Sequence, residues 1–199
     1  MLVESSQRDR KFPVPSLSVT CDAVPTDEVT GWALLARGGD PLASAAFVRA
    51  TQAEVWRFVA ALVDTGAADD LTQETFLRAF RALPEFAARS TARTWLLGIA
   101  RRVCADHLRA VGRRRRLDAR LALNRPQLVV PDETGLLAAA ELVRLLPDDR
   151  RVAFVLTQLA GLSYAEAAEV EGVPVGTIRS RVARARTALV EAVQAAMAR

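Results

Sequence analysis

The stretch "LSYAEAAEVEGVPVGTIRSRVARART" (162–187) constrains the fold more than any other, because its punctuation admits only helix, tight turn, helix. Ser163 three residues ahead of Glu166 makes a capping box that opens the first helix. Gly172 stands where a left-handed residue ends it. Pro174 pushes Val173 into an extended conformation and suits the start of the second helix. The intervening turn has the short length a helix-turn-helix requires. In the second helix Ile178, Val182, Ala185 and Leu189 fall on one inward stripe. Gly176, Ser180, Ala183, Arg184 and Thr187 project oppositely, with Arg179 and Arg186 on one shoulder and Thr177 and Arg181 on the other. Guanidinium groups grip phosphates or pair bidentately with guanine, and small residues between them let a helix approach a groove closely. A merely solvated helix face mixes both charge signs, whereas no acidic residue occurs between Gly172 and Leu189. This helix is therefore expected to face DNA.

Helical periodicity runs through the rest of the chain, and the expected fold class is all-α, as two small helical domains joined by a flexible linker. Residues 1–25 read as a flexible tail and 26–112 as a four-helix domain. A short helix at 27–37 places Val29, Trp32, Ala33 and Ala36 on one side. Asp40-Pro41 caps and starts a second, with Phe47, Val55, Phe58, Val59 and Leu62 inward. Residues 68–83 open on Asp69 and Asp70, as a helix N-terminus prefers, and stop at Pro84. A long helix over 90–111 is capped at Ser90 or Thr91, with Trp95, Leu96, Ile99 and Val103 inward. Charge, two prolines and the glycine just ahead of it, Gly112, make 113–134 the linker. Residues 135–199 form the second domain, where Asp148 and Asp149 open a helix carrying Val152, Val155, Leu156 and Leu159, closed by Gly161.

The formal net charge of +4 conceals strong segregation. Residues 89–125 hold eleven arginines against Asp106 and Asp118, while 132–171 hold three basic and eight acidic side chains. Two basic segments mounted on acidic bodies suggest two polyanion-facing surfaces whose supports meet something else. Arg101, Arg102 and Arg109, with Gly98 and Ala105, share one face of the long helix. The preceding loop adds Arg89, Arg93 and small hydroxyls suited to an unstacked base and its phosphates. Cys21 and Cys104 supply neither a disulfide framework nor a metal spacing. No apolar run approaches the ~20 residues of a membrane helix, so a cytoplasmic chain with no metal or cofactor is expected. With no nucleophile–base constellation or phosphate-binding glycine loop, an enzyme is not expected.

Together "DDLTQETFLRAFRALPEFAARSTARTWLLGIARRVCADHLRA" and "LPDDRRVAFVLTQLAGLSYAEAAEVEGVPVGTIRSRVARARTAL" resemble the extracytoplasmic-function (ECF) class of bacterial sigma factors in the sigma-70 family. The resemblance covers most of residues 27–195. It implies a dissociable subunit that binds core RNA polymerase and directs promoter recognition and transcription initiation. Asp69, Asp70, Leu71, Gln73, Glu74, Phe76 and Leu77 match the segment that docks on the β′ clamp helices. Arg89, Ser90, Thr91, Arg93, Arg101, Arg102 and Arg109 match the part that opens and reads the −10 element. Arg179, Ser180, Ala183 and Arg184 match positions facing −35 bases, with Thr177, Arg181 and Arg186 nearer phosphates. Ala183 stands where many members carry a larger side chain. The acidic first half of the second domain would meet the β flap, and an anti-sigma protein is a regulator the resemblance allows. The alternative is a free-standing helix-turn-helix transcriptional regulator, which would bind its operator without polymerase.

Overall fold

The computed structural model describes residues 27–120 and 141–197, within which every regular element is helical. Helix α1 (Glu28–Arg37) is capped by Asp27, whose carboxylate accepts from the Thr30 amide at 2.9 Å. Asp40 caps α2 (Pro41–Leu62), with proline at its first turn. A short 3-10 turn around Gly66 leads into α3 (Ala68–Ala82), and another at Leu83–Glu85 carries Pro84. Helix α4 spans Ala92–Arg120. Its N-terminal amides are satisfied from two directions. Thr91 Oγ1 accepts from the Thr94 amide at 3.1 Å, and the buried Thr30 hydroxyl of α1 accepts from Ala92 at 2.9 Å. Phe47, Val55, Val59, Leu96, Leu97 and Val103 are wholly buried between these helices. Each such side chain contributes about 1.5–3 kcal/mol on leaving water.

Residues 141–144 are helical and precede α5 (Asp148–Phe154), which continues as a π-helical turn over Val155–Leu159. Helices α6 (Tyr164–Glu171) and α7 (Val175–Met197) form the helix-turn-helix. Its grammar is realised: Ser163 and Glu166 make the reciprocal capping box, and Gly172 sits at φ 65°, a left-handed position that favours glycine. Ile178, Val182 and Ala185 are buried, with Val155, Leu156 and Ala167, as the second core. The buried apolar residues of the two units form one continuous cluster.

One expectation is corrected. Helix α4 runs past Gly112 to Arg120, so the linker does not begin at 113. Arginine is a good helix former, and cations at a helix C-terminus complement its dipole, which offsets the roughly 1 kcal/mol cost of one interior glycine. Leu159, unlike Val155 and Leu156, is exposed at the end of the π turn, whose extra residue rotates it off the core. Trp95 packs on the core as expected, half-buried against Phe86 with ring centroids 4.8 Å apart, and Leu96, Ile99 and Val103 are buried outright. The tail at 1–25 and the remainder of the expected linker, 121–134, lie outside the described residues.

Candidate nucleic-acid interface

The outward side of α7 is as the periodicity predicts. Arg179, Ser180, Ala183, Arg184, Arg186 and Thr187 are exposed, on the side opposite Ile178, Val182 and Ala185. Ser180 Oγ donates to the Thr177 carbonyl at 2.9 Å, and Arg186 donates to Gln158 Oε1 at 2.7 Å. Arg179, Arg184 and Arg186 thus carry the open positive charge of this face, Arg186 being steered by the neutral Gln158 amide. Arg181 is placed differently. Its side chain is 22% exposed and lies between Asp149 at 3.3 Å and Glu171 at 3.6 Å.

The loop and helix before residue 110 divide in the same way. Arg89 and Arg102 are exposed, and Ser90 and Thr91 are half-buried. The loop is fixed from behind by Arg37, which donates to the Phe86 carbonyl at 2.8 Å. Buried Ala88 occupies φ 50°, a left-handed conformation that costs an L residue about 1–2 kcal/mol. Arg93 is fully engaged. Its Nε bonds both oxygens of Glu54 on α2 at 2.8 Å, and its terminal nitrogen donates to the Ala160 carbonyl at the end of the π turn. The Glu54 hydrogen bond holds the Arg93 pKa above its ordinary value despite partial burial. Arg101, adjacent to exposed Arg102, turns instead to Glu171, with Nε–Oε1 at 2.5 Å. The carboxylate of Glu171 is only 3% exposed, so one buried acid holds an arginine from each basic segment. Thr94 adds a third link by donating to Glu166 Oε1 at 3.1 Å. Burial alone would raise the Glu166 pKa. Hydrogen bonds from Ser163 and Thr94 outweigh it and hold the carboxyl below its usual range.

Arg109 lies further along α4 and shares Asp106 with Arg78 of α3. Arg78 takes one carboxylate oxygen at 2.8 Å and Arg109 the other at 2.5 Å. These bonds, Arg78's first, lower the Asp106 pKa, and the same contact raises that of Arg78. Cys104 is buried one turn away, where desolvation pushes its thiol up to about 12.

On the opposite side of the first unit, α2 and α3 border an apolar groove of about 640 Å³. Among the residues expected to dock a partner, Asp69, Gln73, Phe76 and Leu77 line it. Leu71 and Glu74 do not, Leu71 packing on the core and Glu74 pairing with Arg78 at 2.7 Å. Asp70 is exposed beside the groove on α3. Sequence reasoning missed the other wall, Val48, Gln52 and Trp56 of α2, and Phe80 at the end. The signal was present as Val48, Gln52 and Trp56 at i, i+4, i+8, one line on α2. Trp56 Nε1 donates to Asp69 Oδ1 at 2.7 Å, leaving its ring open, and Leu77 and Phe80 are likewise exposed. The Thr72 hydroxyl beneath has no partner among the described residues.

Two helical units, one ending in a helix-turn-helix with an arginine-bearing outer face, define a DNA-reading regulator of transcription. A family model described as "Sigma-70 region 2" matches residues 47–114, and one described as "Sigma-70, region 4" matches 136–189. The ECF RNA polymerase sigma factor SigC of Mycobacterium tuberculosis is 53% identical over 86% of this chain and 94% of its own length. The ECF RNA polymerase sigma-E factor of Escherichia coli K12 is 36% identical over 78% and 89% respectively. Among solved structures, CnrH in complex with the cytosolic domain of CnrY matches at TM-score 0.67 and 26% identity, covering 85% of this chain and 99% of CnrH. The sigma factor RpoE of Bartonella quintana, solved with the anti-sigma factor NepR, matches at 0.64 and 28%, over 74% and 94%. The chain belongs to the ECF sigma factors of the sigma-70 family, which bind core RNA polymerase and direct promoter recognition in transcription initiation.

Proposed function

We propose that each basic surface reads one promoter element. Helix α7 meets −35 bases with Arg179, Ser180, Ala183 and Arg184, and phosphates with Thr177, Arg181 and Arg186. Arg89, Ser90, Thr91, Arg93, Arg101, Arg102 and Arg109 capture the −10 element. The observation that carries this reading is the two-sidedness of α7. Ile178, Val182 and Ala185 of its inner stripe are buried, while the exposed side from Gly176 to Thr187 carries only arginines and small residues. Guanidinium forks on such a face suit base edges in a major groove.

The apolar groove between α2 and α3 is the docking face for the β′ clamp helices. Exposed Trp56, Leu77 and Phe80 beside Asp69 support that role, giving apolar area with an acidic rim. The acidic first half of the second unit meets the β flap. The chain works in the cytoplasm as a specificity subunit and catalyses no reaction itself. Arg93 and Arg101 are tied to Ala160 and Glu171, so −10 reading requires the two units to part when polymerase is bound. An anti-sigma protein is the expected antagonist, by analogy with the Bartonella quintana RpoE, solved with the anti-sigma factor NepR.

Runoff transcription with purified core polymerase, followed by sequencing of the 5′ ends, tests the reading. Initiation is expected only with the chain present, downstream of paired −35 and −10 sequences. Tight operator binding by the isolated chain with no effect on initiation would overturn it in favour of a free-standing regulator.

A further inference from the structure

Where the two units meet they border a cavity of about 600 Å³, within the roughly 300–1,000 Å³ range of small-molecule sites. One side of α4 forms the first wall, and residues of α5, α6 and α7 form the other, so the cavity exists only while the units are packed together. Five arginines line it against three carboxylates. The acids are already taken. Glu171 holds Arg101 and Arg181, Asp149 holds Arg181 at 3.3 Å, and Asp148 pairs with Arg151. Arg109 shares a single acid, Asp106, with Arg78. Arg113 is exposed and forms no ion pair among the described residues. The lining therefore carries positive charge in excess. Arg151 adds an independent sign. Its side chain is only 10% exposed, one terminal nitrogen donates to the Arg144 carbonyl at 2.9 Å, and its Nε has no partner among the described residues. A buried donor without an acceptor is costly, and an acceptor in the cavity would relieve it. Leu62, Cys104, Ala105, Leu108 and Val152 supply the apolar part of the lining.

We propose that this cavity binds a phosphorylated aromatic metabolite of about nucleotide size, and that occupancy holds the two units together. Charge selects an anion bearing more than one negative charge, since Arg109 and Arg113 exceed what the lining acids neutralise. Guanidinium forks match phosphate oxygens bidentately, and their planes also stack on aromatic rings. The aliphatic part of the lining gives such a ring a second face to cover. A ligand that binds only the packed form stabilises it by mass action. At one hundred times its Kd, the parted fraction falls about a hundredfold. The consequence for DNA rests on the promoter reading above, in which −10 capture requires the units to part.

The full chain is titrated by calorimetry with adenosine diphosphate, phenyl phosphate and inorganic pyrophosphate at constant ionic strength. Adenosine diphosphate should bind more tightly than pyrophosphate, which has charge but no ring. Phenyl phosphate within tenfold of adenosine diphosphate marks any aryl phosphate as a ligand, and a wider gap marks a nucleotide. Arg113→Gln should weaken adenosine diphosphate about fivefold. Arg114→Gln, an equal charge loss at an exposed residue outside the lining, should leave it unchanged. Ala105→Leu fills space against the apolar lining and should weaken adenosine diphosphate but not pyrophosphate. In the Glu171→Gln chain, where a contact between the units is weakened, saturating adenosine diphosphate should raise energy transfer between a dye on α2 and one near the end of α7. Equal losses in Arg113→Gln and Arg114→Gln, no binding at millimolar concentration, tighter binding of pyrophosphate, or transfer that stays flat or falls would overturn the site. Transfer that rises while affinity for a single-stranded −10 oligonucleotide stays the same would uphold the site and overturn instead the reading that −10 capture requires parted units.

Discussion

Replacing Glu171 by glutamine isolates what holds the two units together. The side chain keeps its shape and one carbonyl acceptor but loses its charge. Arg101 loses a charge-assisted bond at 2.5 Å, while Arg181 retains Asp149 at 3.3 Å. Hydrogen bonds to charged groups contribute about 1.5–3 kcal/mol. Arg101 is one-third exposed, so solvent screening reduces this to about 1 kcal/mol. That is roughly a fivefold shift toward parted units. It will not separate them outright, because their apolar cores are continuous and Arg93 still reaches Ala160. The helix itself should not suffer, since removing an anion from the last position of α6 relieves its negative dipole end.

The assay is energy transfer between dyes on cysteines introduced at exposed Arg57 and Gln194, in a background with Cys21 replaced by serine. Glu169→Gln, an exposed acid on the same helix, is the charge control. Glu171→Gln should populate the low-transfer state about fivefold more at 0.1 M salt, and raising salt should move the wild type the same way. Binding of a single-stranded −10 oligonucleotide should strengthen in step, because Arg101 is freed. The reasoning fails if transfer and oligonucleotide binding are the same in Glu171→Gln and Glu169→Gln while both retain wild-type helicity.

Four further outcomes are expected. Trp56→Ala with Phe80→Ala should cost little stability, since both rings are more than a third exposed, but should abolish capture by core polymerase in a pull-down. Arg184→Ala should weaken −35 recognition by about 1–3 kcal/mol if its fork pairs with a base, measured by competition with mutated −35 duplexes. The Glu166 carboxyl is held below its ordinary range, so its contribution is complete above the unfolded value near 4.3 and is lost as pH falls through the folded one. Urea unfolding between pH 3 and 6 should therefore show a steeper acid loss for the wild type than for Glu166→Gln. Cys104, with its thiol raised to about 12 by burial, should resist alkylation at pH 8 until the chain is unfolded.

Local signals carried most of the fold. Asp40-Pro41, the Ser163/Glu166 box and Gly172 each name a helix end through contacts within four residues, and each end falls where its chemistry puts it. The same locality explains the misses. Nothing in a window around Gly112 weighs one glycine against four arginines, and a π turn leaves no mark on the spacing of Val155, Leu156 and Leu159. The α2 line of Val48, Gln52 and Trp56 was legible as a line but not as half of a groove, because Trp56 and Phe80 come together only once α2 lies against α3. The outer face of α7 was legible because one helix builds it alone. The partners of Arg93, Arg101 and Arg181 were not, since Glu54, Ala160 and Glu171 lie 39, 67 and 70 residues from the arginines of α4 that they meet.

Those partners alter the meaning of the acidic segment. Its negative balance suggests a surface turned toward polymerase, yet three of its eight acids are spent on residues proposed to hold DNA or beside them. Glu171 meets Arg101 and Arg181, Asp149 meets Arg181, and Glu166 meets Thr94. A carboxylate against a guanidinium occupies the place a phosphate oxygen would take. The substitution is uneven, because Arg93 and Arg101 are engaged while Arg179 and Arg184 stand open. The isolated chain can thus present its proposed −35 face to duplex DNA while Arg93 and Arg101 of the proposed −10 set remain satisfied internally. Single-strand capture then needs a separate source of free energy to part the units. The apolar groove supplies a place for it, lying on the α2–α3 side of the first unit and lined by none of the residues that bind the second.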